Sequence, residues 1–306
     1  MTDVRLLDRA SRLRTGRTPF VLATVVRAER PASARPGDQA LVLADGTVEG
    51  FVGGSCAEST TRAESLRLLS CGEAGLLRIT PGGGAGEPSP PGVRTVDNPC
   101  LSGGALEIFL EPILPPVLVL VIGDAPVARA LVRLGAVLDH EVVLVEDTAA
   151  PLPPDTAAVV VAAHGQADEE GVLAAALAAG VPYIALVASR RRAAGVLAAV
   201  AARGVAGAER VHTPAGLDIG ARTPTEIALS IYAQRVAERK VAPPVPPPPD
   251  PSQPLPAPVL DPVCGMEVAS VPPTLSVRGA DHEPLAWFCG PGCRDTFVAD
   301  PARYPR

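Results

Sequence analysis

The sequence predicts an α/β protein with three parts: an N-terminal α+β domain, a Rossmann-like domain with a parallel sheet, and a small C-terminal module. Residues 117–187 alternate short continuous apolar runs with helix-periodic segments, the pattern of a parallel sheet covered on both faces. Residues 20–52 read instead as strands joined by turn signals, and Pro112, Pro115 and Pro116 separate the two regions. Beyond residue 240 a proline-rich stretch containing Pro246-Pro247-Pro248-Pro249 reads as an extended spacer, and the segment after it is too short to build a dependable core alone. The expected boundaries are 1–112, 113–240, a linker at 241–258 and a tail at 259–306.

Composition narrows the function classes. The 306 residues are 47% hydrophobic but only 3% aromatic, which suits an interior of small and branched side chains. The net charge is -6, and the 27 Lys and Arg are spread along the chain, so there is no basic footprint for nucleic acid or a membrane surface. No apolar run is long enough for a membrane span, and the opening Met1-Thr2-Asp3-Val4-Arg5 lacks the form of a signal peptide; a cytoplasmic protein is expected. Six cysteines in such a chain point to metal or redox chemistry rather than a disulfide framework.

Taken in order, the elements are an opening helix, a strand over 20–26, and a strand over 39–43 that turns at Asp45-Gly46 into a partner over 47–52. Helical spacing comes next over 57–70, residues 81–86 form a glycine-rich loop, and 105–111 alternate as a strand. In the second domain a buried strand over 117–122 ends at Gly123, a helix covers 126–138 and a strand covers 141–145. Strands over 157–162 and 183–187 flank a helix over 168–179. Thr223-Pro224-Thr225-Glu226 reads as a capped helix start, with Thr223 as N-cap and Glu226 in the capping-box place. His140 and His212 have no evident partner and read as surface or capping residues.

Two glycine-rich loops each carry a thiol: Gly53-Gly54-Ser55-Cys56, and Cys100-Leu101-Ser102-Gly103-Gly104. Glycines at strand ends let backbone N–H groups converge on an anion, and a cysteine beside them offers a soft ligand or a sulfur nucleophile. The competing reading is a pair of tight turns with inert cysteines. In the second domain Gly123 starts a degenerate nucleotide motif, since Ala125 and Ala128 replace the later glycines; Glu146 or Asp147 is placed to meet a ribose. His164-Gly165 falls where a strand meets a loop, the edge at which open α/β sheets bind ligands. In the tail, Cys264, Cys289 and Cys293 form a thiol set for Zn or another transition metal, with a fourth ligand from His282, an acid or water.

These motifs carry a resemblance. Arg35-Pro36-Gly37-Asp38, Gly53-Gly54-Ser55-Cys56-Ala57-Glu58, Asn98-Pro99-Cys100-Leu101-Ser102-Gly103-Gly104, His164-Gly165 and Pro214-Ala215-Gly216-Leu217-Asp218-Ile219-Gly220 together resemble the XdhC/CoxI family over roughly residues 15–238. The tail, from Asp261-Pro262-Val263-Cys264-Gly265-Met266 through Cys289 and Cys293 to Asp300-Pro301, resembles a YHS domain. The first resemblance implies a maturation factor rather than a turnover enzyme. Such a factor binds molybdenum cofactor, holds it while a sulfur donor such as a cysteine desulfurase installs its terminal sulfur, and passes it to an apo molybdenum hydroxylase of the xanthine or CO dehydrogenase type. Cofactor contacts are then expected from Arg35, Gly53, Gly54, Ser55, Cys56, Cys100, Ser102, Gly103, Gly104, Gly123, Glu146 and His164. Ser55 stands where a third glycine is usual and Leu101-Ser102 separates Cys100 from its glycines, which resembles the CoxI-type branch and implies a dinucleotide form of the cofactor. Handover between proteins is compatible with a homodimer. The alternatives are an NAD(P)-dependent oxidoreductase and a metal sensor or carrier acting through the tail.

Overall fold

The structure is a computed structural model; it describes residues 4–81, 90–97, 104–145, 148, 150–163, 168–238, 258–278 and 284–304. They fall into two compact units, Met1–Pro115 together with Pro243–Arg306, and Pro116–Ala242. The glycine-rich loop and the proline spacer expected at 81–86 and 241–258 lie almost wholly outside the described residues, as do Cys100, Ser102, Gly103, Glu146, Asp147, His164 and His282.

In the first unit, α1 (Val4–Thr15) precedes β1 (Phe20–Ala28), β2 (Gln39–Leu43) and β3 (Val48–Gly50); α2 (Ser55–Cys71) then leads to β4 (Gly75–Thr80), β5 (Val93–Asp97) and β6 (Leu106–Ile113). They form one six-stranded sheet in the order β3-β2-β1-β6-β4-β5, antiparallel except for the β4–β5 pair. Side-chain alternation along β1 sorts its residues between two cores: Phe20 and Leu22 pack with Leu6 and Leu13 of α1, whereas Val21, Ala23 and Val25 pack with Leu66 and Leu69 of α2. Strands β4 and β5 were not read as strands in the sequence; β4 is held by β6, from a later part of the chain, and β5 pairs with β4 at the sheet edge.

The tail does not stand apart on its spacer as expected. Its strands β12 (Pro258–Leu260) and β13 (Glu267–Ala269) pair with each other, β14 (Leu275–Arg278) pairs with β15 (Pro284–Phe288), and α7 (Pro291–Ala299) closes the module. Met266, Val268 and Cys289 make a small core that also takes in Cys56 of α2. A segment this small buries too little surface alone and completes its core on a neighbour. The ion pairs Arg94–Glu64 (2.8 Å) and Arg94–Glu267, and a hydrogen bond from Arg62 to Thr274, join the tail to the same unit. Covered by the sheet and by β13, α2 is buried nearly all round, including Ser59, Thr60, Thr61 and Ser65.

The second unit contains β7 (Leu118–Ile122), α3 (Pro126–Val137), β8 (Glu141–Val145), β9 (Thr156–Val161), α4 (Glu169–Ala178), β10 (Tyr183–Leu186), α5 (Arg190–Ala202), β11 (Val211–His212) and α6 (Pro224–Ala237). All five strands are parallel, in the order β11-β10-β9-β7-β8. Leu118, Leu120 and Ile122 of β7 face α4 and α5, while Val119 and Val121 face α3 and α6, which explains a continuous apolar run in place of alternation. The third strand pairs with the first, so the winding of the sheet reverses between β7 and β9. The crevice of this order opens at the carboxyl ends of β7 and β9.

Both histidines set aside as surface residues are packed. His212 stacks on Tyr183 at 4.8 Å between ring centroids and its Nε2 lies 2.8 Å from a Glu238 carboxylate oxygen, and His140 meets Tyr232 edge-on while contacting Arg235 at 3.0 Å. The capped start of α6 is present in full, with Thr223 and Glu226 each accepting a backbone N–H from the other.

Candidate functional site

The first glycine loop runs from β3 into α2. Gly53 has φ +135°, and a Cβ there would lie 2.9 Å from the Cβ of Ala57 and 3.2 Å from Leu106, so the loop needs glycine at this position. Leu106 opens β6, so the first loop touches the strand that leaves the second glycine loop. Gly104, at the start of that strand, is needed for another reason: a Cβ would lie 2.5 Å from the backbone nitrogen of Ala32. Gly54 has an ordinary extended backbone and open space around it, and is the N-cap of α2 without a side-chain cap. Arg35 is exposed in the β1–β2 turn, where its backbone N–H donates to Asp38 at 2.8 Å. Beside the exit of the second loop, Arg27, Arg78, Glu29 and Glu107 line a cavity of about 320 Å³ with Ala105 and Leu106. The arginines were not singled out in sequence, since Arg27 falls just beyond the strand expected over 20–26 and Arg78 lies in β4, which was not read as a strand.

Cys56 projects from the first turn of α2 into the tail. Its Sγ lies 3.8 Å from that of Cys289, which lies 3.6 Å from both Cys264 and Cys293. Asp261 joins them, and the ligand atoms of Asp261, Cys264, Cys289 and Cys293 all lie within 4.8 Å of one another. The buried Asp261 carboxylate accepts the backbone N–H of Val263 (2.9 Å) through one oxygen and that of Cys289 (2.8 Å) through the other, fixing the two ligand loops against each other. All five described cysteines, Cys71 included, are outside disulfides. A hydrogen bond from the Cys289 thiol holds Cys264 below the usual thiol range, helped by the backbone N–H of Met266. Cys289 is driven up by its contacts with Cys264 and Cys56, and burial, together with the Asp261 charge, pushes Cys293 up to about 12. Four sulfurs and a carboxylate gathered in this way are a donor set suited to a soft or borderline ion.

Two helices begin at this cluster. Cys56 is in the first turn of α2, Cys289 immediately precedes the N-cap of α7, and Cys293 is in the first turn of α7. Gly290, that N-cap, approaches Ser55 so closely that a Cβ would lie 2.9 Å from the Ser55 hydroxyl.

In the second unit, Gly123 sits at the β7–β9 crevice with φ +105°, and a Cβ would lie 2.6 Å from the carbonyl oxygen of Ala162. A separate cavity of about 710 Å³ opens beyond β10 and β11, lined by Ser189, Arg190 and Arg192 of the α5 start and by the 214–219 loop. Arg192 is held there by buried Glu169.

Residues 13–80 match the XdhC and CoxI family, and residues 119–234 match the XdhC Rossmann domain. The chain carries both XdhC-type segments. The first XdhC-type segment contains Arg35, Gly53, Gly54, Ser55 and Cys56, and the Rossmann segment contains Gly123, Glu146 and His164. The chain is 28% identical over 266 residues to the uncharacterized protein YqeB of Escherichia coli K12, which takes in 78% of this chain and 47% of that protein. It therefore spans about half the length of this relative. A crystal structure described as a xanthine dehydrogenase from Bacillus halodurans aligns over 78% of this chain and 97% of its own, at 17% identity and a TM-score of 0.35.

Proposed function

We propose that this protein is a maturation factor for molybdenum hydroxylases. It binds molybdenum cofactor, in a dinucleotide form on the CoxI-type reading, holds it while a sulfur donor such as a cysteine desulfurase supplies the terminal sulfur, and delivers it to an apo-hydroxylase of the xanthine or CO dehydrogenase type. The observation that carries this reading is the pair of XdhC-type matches, the first of which contains the Gly53 loop and Cys56. Geometry supports it: the Gly53 loop meets Leu106 at the start of β6, beside a cavity lined by Arg27 and Arg78 together with their partners Glu29 (2.7 Å) and Glu107 (3.0 Å). Cys56 supplies a soft sulfur beside that loop, and Cys100 is assigned the same role from the second loop. Gly53, Gly54, Ser55, Ser102, Gly103 and Gly104 shape the cradle or line it, Arg35 neutralises phosphate, and Gly123, Glu146 and His164 serve the cofactor from the Rossmann-like unit.

The tail is read as a YHS-like module that holds a transition metal on Cys264, Cys289 and Cys293. The thiol cluster also favours a second reading, a metal sensor or carrier acting through that module.

Expression in a host that makes molybdenum cofactor, with anaerobic purification and quantitation of molybdenum and pterin, tests the main reading. Near-stoichiometric cofactor on the wild type and its loss from Cys56→Ser or Cys100→Ser are expected. A wild-type protein empty of pterin under conditions that load a known molybdenum protein overturns it and leaves the metal-carrier reading in front.

A further inference from the structure

The tail supplies three sulfurs, and the fourth stands across the interface. We infer that Cys56, Cys264, Cys289 and Cys293 form a single four-thiolate site for a zinc-like divalent ion. In it Cys56 is a metal ligand, and the ion clamps the tail over the start of α2. The assignment rests on the metal reading of the tail and extends it to the fourth ligand and its consequence.

Distances carry the first part of the case. A tetrahedral ion with metal–sulfur bonds of about 2.3 Å requires neighbouring sulfurs about 3.8 Å apart. The sulfur of Cys289 has three sulfur neighbours at 3.6, 3.6 and 3.8 Å; the last of them, Cys56, stands beside the set of ligand atoms that all lie within 4.8 Å of one another, and completing the tetrahedron requires its side chain to swing in. The rival for the fourth position among the described residues is Asp261, but each of its oxygens already accepts a backbone N–H, one of them from a ligand residue. That is the work of a carboxylate that orients a ligand loop, leaving the open corner to Cys56.

Charge carries the second part. The starts of α2 and α7 abut at Ser55 and Gly290, bringing together two helix ends that each carry partial positive charge. Four thiolates around a divalent ion bear a net charge of about -2, which both helix starts stabilise.

The consequence concerns access. While the ion is bound, the thiol assigned to the molybdenum cofactor is a metal ligand, so loading the cofactor on Cys56 requires release of the ion. The metal module becomes a cover on the cofactor site.

Titration of the full-length metal-free protein with Co²⁺, and competition with Zn²⁺, tests this without any cofactor. One equivalent of tetrahedral Co²⁺ with the charge-transfer intensity of four thiolates is expected for the wild type. Cys56→Ser should lose one thiolate from that spectrum and bind about tenfold or more weakly, since even outer-shell partners cost about that much. Cys71→Ser, on the same helix but outside the cluster, should match the wild type. In the unmutated protein, Zn²⁺ should protect Cys56 from alkylation and a chelator should restore its reactivity, while Cys71 reacts in both states. An unchanged Co²⁺ spectrum and affinity in Cys56→Ser, with Cys56 alkylated equally with and without Zn²⁺, overturns the inference while sparing the three-cysteine metal reading. Failure of the wild type to give any thiolate-bound Co²⁺ overturns both, and leaves the cofactor reading to its own measurement.

Discussion

Gly53 and Gly54 look equivalent in the sequence and are opposites in the structure. Gly53 holds a left-handed backbone against Ala57 and Leu106, so Gly53→Ala should destabilise by about 1–3 kcal/mol. Gly54 is an N-cap with an ordinary extended backbone and free space, so Gly54→Ser should be neutral or stabilising by about a few tenths of a kcal/mol. Urea unfolding of the two variants should separate them clearly; equal losses would contradict the loop geometry. Motif reading marked both residues correctly as a loop but had no means of telling a steric requirement from an open cap. The same limit applies to Gly104, whose closest neighbour, Ala32, comes from a distant turn.

Among the elements, α6 was fully legible because a capping box is written within four residues. Its Glu226 carboxyl is held below the usual range by the backbone N–H of Thr223 and then of Arg222. A depressed folded-state value means that the contribution is present above the unfolded-state pKa and disappears as pH falls through the folded-state value. The stability difference between wild type and Glu226→Gln should therefore be visible at about pH 7 and shrink on acidification to about pH 3, read from urea midpoints at both. Helix α2 was legible as a helix but not as a buried one, because its serines, threonines and charges suggest a wet face. Its Glu64 is buried and receives Arg67 and Arg94, and Arg94 also reaches Glu267 of the tail. Arg94→Ala should cost about 1–3 kcal/mol and loosen the tail, giving faster proteolysis beyond residue 258 than in the wild type. Unchanged cleavage would show that this contact does not hold the module.

For the whole molecule, the consequential feature is the return of the tail to the N-terminal unit across the entire intervening Rossmann-like unit in sequence. Limited proteolysis of the full chain should show the 258–304 module protected with Zn²⁺ and cleaved after chelation. Equal cleavage in both states would mean that packing alone holds the module, without help from the ion. No helix among the described residues is long and apolar enough to cross a membrane.

By itself the sequence determined the features that short-range chemistry encodes. Strand and helix periods, the capping box of α6, the parallel character of the second sheet and the thiols of the two glycine loops and the tail can all be read within windows of a few residues. Only the tertiary structure decided which distant pieces meet: that β9 pairs with β7, that β4 finds β6, and that Cys56 lies 3.8 Å from a cysteine 233 positions later. Local patterns are set by backbone sterics and the side-chain period, whereas these encounters are set by which surfaces bury best against each other. A lone thiol therefore carried no sign in the sequence of the cluster it would join.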